Sequence, residues 1–237
     1  MENYRIVNDL PALEAFIKWL PELEASETYY ICLLARNKYC KEISHIKSDV
    51  QQLRRFTTTK ERMINKIKQA ECELGSYKQG EVPIPQEALA LYIHPNPRNQ
   101  VIAAKRTCTK LLELLLEPYA NYNVHQIALS NIQQARGRKI YTDFDFDKLS
   151  YDDFIEGMFP SFINPEALTV VKTHGGFHAL VNSDLVDPEF SRLWYKRMEF
   201  LAADDHAAVQ GDLLIPVPGC TQGNFTPKFL MINGVEQ

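Results

Sequence analysis

Acid and aromatic residues alternate along Ile140–Tyr141–Thr142–Asp143–Phe144–Asp145–Phe146–Asp147. Side chains of an extended strand alternate between faces, so Asp143, Asp145 and Asp147 share one face while Phe144 and Phe146 meet a core on the other. Two like charges ~4 Å apart repel by roughly 4 kcal/mol at an effective dielectric near 20. A divalent cation offsets that repulsion, and hard carboxylate oxygens in a row suit Mg²⁺ or Mn²⁺. The same alternation also fits a half-buried strand whose polar face meets water. A calcium loop fits less well. The EF-hand pattern asks for glycine after the third acid and glutamate at the twelfth place, where this chain has Lys148 and Phe154.

A second constellation is Thr173–His174–Gly175–Gly176–Phe177–His178. Histidines four apart have the spacing of a zinc helix, but two intervening glycines disfavour a helix. Glycines here let a phosphate or ribose approach the backbone, with His178 donating a hydrogen bond to it; a satisfied structural histidine is the alternative. A third feature is His94–Pro95–Asn96–Pro97–Arg98. Its prolines stiffen the backbone and aim Arg98 at a phosphate or carboxylate. Cations in Ala35–Arg36–Asn37–Lys38 line a site or are solvated.

These residues need elements to hold them. Leu10–Leu20 has helical spacing, with Asp9 as N-cap, Pro11 in the first turn and Pro21 closing. Thr28–Leu34 and Ala88–Ile93 read as buried strands. His45–Lys68 is rich in Lys and Arg and reads as one or two exposed helices, either a solvated face or a salt-sensitive phosphate-backbone contact. Gly75–Pro85 is a connecting loop. Asn99–Leu116 reads as a helix with Ile102, Ala103, Cys108, Leu111, Leu112 and Leu115 toward the core, and Val124–Ala135 as another, ended by Gly137. Tyr151–Met158 is a short helix. Leu168–Val181 is a hairpin turning at Thr173–Gly176. Pro188–Ala203 is an amphipathic helix, and Leu213–Val217 and Lys228–Ile232 are strands around a Pro218–Gly219 turn.

The chain has 237 residues, 45% hydrophobic and 24% charged, with a formal charge of −4. That length suits one large domain or two intimate subdomains, and that charge gives no global basic field for nucleic acid. The five scattered cysteines form no CxxC pair. An odd count without a secretory leader reads as reduced thiols in a cytoplasm. No run is apolar for long enough to span a bilayer.

The order of these motifs resembles the archaeo-eukaryotic primase superfamily, in its primase-polymerase branch, including bacterial, mobile-element and CRISPR-associated members. Asp143 and Asp145 match its D-x-D motif. Thr173, Gly175, Gly176 and His178 match its Gly-rich turn with a histidine. Asp205 fits the third carboxylate best, with Asp204 and Asp212 as rivals. The Asn96–Pro97–Arg98 segment and Lys228 also look like features of this branch. The likeness covers roughly Leu10 to the C-terminus and is sharp from Leu91 onward.

The resemblance implies an α+β fold. An RRM-like antiparallel or mixed sheet (residues 88–237) would carry the acids, packed with an N-terminal α/β layer (1–87, with a basic helical insert at about 41–74), and the site would lie in the cleft between them. It implies template-dependent nucleotidyl transfer: Asp143, Asp145 and Asp205 hold two divalent ions, Mg²⁺ or Mn²⁺. Thr173, Gly175, Gly176 and His178 grip the nucleoside triphosphate, and Arg98 and Lys228 contact phosphate or template. Single-stranded DNA template and primer are the implied partners. The zinc-binding and helical modules of larger relatives are not found, so the chain is either a cut-down catalytic core or borrows them from a CRISPR or replication partner. Pro216 stands where the family often has arginine, leaving Arg98, Lys172 or Lys228 to substitute. Two other functions use the same residues: a metal-dependent nuclease or phosphodiesterase, and a non-catalytic single-strand-binding module.

Overall fold

The β-branched and aromatic run Glu27–Arg36 (β1) is buried along nearly its whole length and forms the spine of the first sheet. The computed structural model describes residues 2–40, 50–116, 123–158, 163–204 and 212–237. The chain is a mixed α+β protein, and every strand pairing among the described residues is antiparallel.

In chain order the helices are α1 (Leu10–Trp19), α2 (Lys60–Lys68), α3 (Gln100–Leu115), α4 (Val124–Gln134), α5 (Tyr151–Met158) and α6 (Trp194–Asp204). After β1 come β2 (Val50–Thr58), β3 (Lys78–Gln79), β4 (Val82–Pro83), β5 (Leu89–Ile93) and β6 (Arg98–Asn99). The remaining strands are β7 (Tyr141–Phe146), β8 (Leu168–Lys172), β9 (Phe177–Asn182), β10 (Ile215–Pro216), β11 (Lys228–Ile232) and β12 (Val235–Glu236). The first sheet runs β10-β5-β1-β2, with β6 also on β1; the second runs β12-β11-β8-β9-β7; β3 and β4 form a separate ribbon. The first sheet therefore draws β5, β6 and β10 from beyond residue 88.

Tyr29, Ile31, Leu33 and Ala35 alternate into a core shared with Leu13 and Phe16 of α1 and with Tyr141, Val171, Leu180 and Phe229 of the second sheet. Trp19 stacks on Tyr141 with ring centroids 4.6 Å apart, fixing α1 against the start of β7. The opposite face of the second sheet packs Phe144, Phe146, Val170, Phe177 and Ala179 under Phe154 of α5 and Trp194 and Met198 of α6. Full burial of each such side chain stabilises the fold by about 1.5–3 kcal/mol. The acids of β7 consequently point toward the first sheet.

Several expectations need correction. Among the described residues of the basic stretch, Val50–Thr58 is a strand, not a helix, paired with β1 from Tyr29↔Thr58 to Arg36↔Val50. Its arginines serve packing: Arg55 bonds Ser130 (3.1 Å) and Gln126 of α4, and Arg54 bonds the Gln69 carbonyl. Lys60 caps the Leu20 carbonyl at 2.7 Å. Helix α3 buries Ala103 and Leu114, while Ile102, Cys108, Leu112 and Leu115, expected inside, are exposed. Pro188–Leu193 forms turns, and the helix begins at Trp194. Asp9 caps α1 as expected, accepting from the Ala12 amide at 3.0 Å. The five cysteines are free. No helix among the described residues is long and apolar enough to cross a membrane.

Candidate active site

The antiparallel register of β7 and β9 sets Asp145 opposite His178 and Asp143 opposite Leu180. Alternation puts Asp143, Asp145 and His178 on one face. Asp143 is only 1% exposed, and His178 only 6%. A carboxylate buried that deeply needs partners. His178 Nδ1 lies 2.9 and 3.0 Å from the two oxygens of Asp143, and Nε2 lies 3.5 Å from Oδ1 of Asp145. Burial disfavours the imidazolium, but the charge and hydrogen bond of Asp143, with the charges of Asp145 and Asp147, outweigh it and raise the His178 pKa to about 9. The ring is therefore charged at neutral pH and donates through Nδ1. Burial, with Asp143 and Asp147 nearby, raises the Asp145 pKa; His178 and Lys38 pull it the other way.

The hairpin turn sits against the end of β7. A Cβ on Gly176 would fall 1.9 Å from the Phe146 carbonyl oxygen, and one on Gly175 3.2 Å from Asp147 Oδ1. The close approach Gly176 permits is thus to the neighbouring strand. Thr173 closes the turn, its Oγ1 accepting from the Gly176 amide at 3.2 Å and its own amide donating to the Gly176 carbonyl at 2.9 Å. The His174 amide donates to Gln222 Oε1 (2.8 Å), and Gln222 Nε2 donates to the Tyr39 hydroxyl (2.9 Å). Tyr39, just past β1, also packs on the His174 ring at 4.9 Å. The first sheet therefore reaches the turn through Tyr39 and Gln222, which sequence reasoning did not single out. The cations after β1 were the available signal, and Lys38 acts on Asp145.

The Asn96–Pro97–Arg98 segment does different work from the expected phosphate contact. Asn96 Oδ1 accepts from the amides of Ile140 (2.9 Å) and Tyr141 (2.8 Å), and Nδ2 donates to the Tyr141 carbonyl (2.8 Å). Arg98, 1% exposed, forms a bidentate pair with Asp212 at 2.8 and 2.9 Å. Burial pushes the Asp212 carboxyl up, but Arg98 outweighs it and holds the pKa below the usual range. Asp212, a rival for third acid, is thus committed to a guanidinium. Asp205 lies outside the described residues. Lys228 pairs with Lys172, which pairs with Phe177, so the register sets Lys228 in the row of Phe177 and Phe146, on the face opposite the acids. Pro216 lies in β10 opposite Tyr92. The Pro218–Gly219 turn packs on the start of α1: the Gly219 carbonyl accepts from Asn8 and Asp9 at 2.9 Å each.

Carboxylate oxygens on one face, with Asp145 raised chiefly by burial and further by its acidic neighbours, have the donor chemistry of a Mg²⁺ or Mn²⁺ site. Their number is incomplete, because no three or more His, Cys, Asp or Glu side chains among the described residues are placed to hold a metal ion. No protein-family model, curated protein or solved structure matches this chain.

Proposed function

We propose that the chain is the catalytic core of a template-dependent nucleotidyltransferase of the primase-polymerase type, adding nucleotides to a 3′-hydroxyl or starting primers on single-stranded template. The observation that carries the reading is the meeting of Asp143, Asp145 and His178 on one sheet face, beside a glycine turn that a Cβ would disrupt. The motif order of the primase-polymerase branch supports it. Asp143 and Asp145, with Asp205, would hold Mg²⁺ or Mn²⁺, which when bound polarises phosphoryl oxygens and acidifies the attacking hydroxyl. His178 orients Asp143 and balances its charge. As an imidazolium it also offsets negative charge where a triphosphate would sit. Lys38, in the turn just after β1, adds a cation.

The test supplies template, primer, nucleotides and Mn²⁺ and looks for extended product. Asp143→Ala with Asp145→Ala should abolish synthesis; unchanged synthesis would sink the metal assignment. Degradation of a labelled strand without nucleotides would instead assign a nuclease.

One observation favours a second reading, a non-catalytic single-strand-binding module. Both Asp143 oxygens already meet His178, so the pair is satisfied without a metal. Metal-independent, salt-sensitive binding without turnover would support that reading.

A further inference from the structure

A cleft of about 580 Å³ opens between α3, the end of α4 and the Arg98–Asp212 pair, lined by His94, Arg98, Arg106, Gln133, Gln134, Arg136 and Asp212. Three arginines and one carboxylate line it. Burial and the Arg98 charge lower the His94 pKa to about 3, so the imidazole is neutral and adds no positive charge to the cleft. Arg98 uses both terminal nitrogens on Asp212, yet its buried Nε has no partner among the described residues, nor does His94 Nε2. Arg136 meets Asp212 through Nε at 3.1 Å while its side chain stays 74% exposed. Arg106 donates to the Gln134 carbonyl at 2.9 Å, the same oxygen that the Arg136 amide bonds at 3.0 Å. One carbonyl thus anchors both outer arginines at the rim. Asp212 is shared between Arg98 and Arg136, so the described residues that line the cleft carry two more guanidiniums than carboxylates.

We propose that this cleft binds phosphoryl groups through Arg106 and Arg136, as a site built from residues other than the acid face. Planar guanidiniums with free donors match phosphate oxygens in pairs. The negative net charge of the chain gives no general attraction for a polyanion, so binding must be local. The phosphoryl groups come from the backbone of a nucleic-acid strand or from the tail of a free nucleotide.

The test compares wild type with Arg106→Ala/Arg136→Ala in EDTA, which removes metal chemistry from the readout. Binding of a fluorescein-labelled thymidine oligonucleotide is followed by anisotropy across a NaCl series, and binding of ATP by calorimetry. For a strand, the double variant binds the oligonucleotide at least tenfold more weakly, and the slope of log K against log salt shrinks by about 1.4, the value for two lost contacts to a single strand. Arg106→Lys/Arg136→Lys restores most of that slope. Loss of ATP binding with oligonucleotide binding intact assigns the site to nucleotide tails. Unchanged affinity for both ligands, with an unchanged slope and an unchanged thermal melt, overturns the proposal. Because the readout is binding without metal, that failure leaves the reading of Asp143 and Asp145 standing, and the reverse holds too.

Discussion

His178 is paired in register with Asp145 but gives its shorter hydrogen bonds to Asp143, the diagonal neighbour on β7. The imidazolium is the counter-charge of a carboxylate that water barely reaches. Removing it leaves Asp143 buried and unpaired. His178→Ala should therefore cost about 3–5 kcal/mol, the usual loss when one partner of a buried ion pair is deleted. Urea unfolding at pH 6.5 measures it; a loss below about 1 kcal/mol would mean that Asp143 is protonated or rehydrated.

The same pair sets a pH dependence. The His178 pKa is raised to about 9 in the fold, against about 6.5 in an unfolded chain. Its stabilisation is fully present below pH 6.5 and is lost as pH rises through 9. In EDTA the unfolding free energy should fall by roughly 3 kcal/mol across that window. Asp143→Asn should flatten the slope.

A bound divalent ion would change that titration. Cations on Asp143 and Asp145 would reduce the negative field that raises the His178 pKa. Histidine NMR titration with Mg²⁺ should show a downward shift, and chelation should reverse it. A pKa indifferent to Mg²⁺ would argue for the metal-independent binding module.

Gly176→Ala should distort the site from a distance. The new methyl meets the Phe146 carbonyl and the Asp147 Cα, both backbone, so β7 and the turn must separate. A cost of about 1–3 kcal/mol or more follows, and any synthesis should drop with it. Gly175→Ala meets only the Asp147 side-chain oxygen at 3.2 Å and should be milder. Equal effects from the two substitutions would contradict this account.

Asn96→Ala removes the partner of two amides and one carbonyl at the entry to β7. Each buried group left unsatisfied costs about 1–3 kcal/mol. Hydrogen exchange should show faster exchange of the Ile140 and Tyr141 amides, with those of β8 little changed.

The alternating acids and aromatics and the glycine hairpin were legible because strand periodicity and turn chemistry are local. Asp143 with Asp145 and His178 with Gly176 could be read within a few residues each, but the β7–β9 register that joins them spans more than thirty residues and had no local signal. Arg98 was legible as a stiffly held cation, but its partner Asp212 lies 114 residues away, and nothing local separates a phosphate contact from an ion pair. Val50–Thr58 reads as helical because Gln51, Gln52, Arg54 and Arg55 have no strand preference; pairing with the strongly β-forming β1 decides its state. The apolar residues of α3 suggested a buried face, yet that helix packs chiefly on α4. The Tyr39–Gln222–His174 chain of contacts joins three distant segments and had no sequence signature beyond the cations beside Tyr39.

β10 forms the edge of the first sheet, with Ile215 opposite Ile93 and Pro216 opposite Tyr92. Its neighbour β5 is made more than a hundred residues earlier on the ribosome. During synthesis the β5 edge stays bare until residues 215 and 216 emerge, an exposure that invites pairing with another chain. The nascent protein therefore completes this sheet only after residues 215 and 216 have been made, and long-range pairing of that kind is slow. Once formed, it ties early and late segments into one cooperative unit, so that severing the chain between them should release both sheets together.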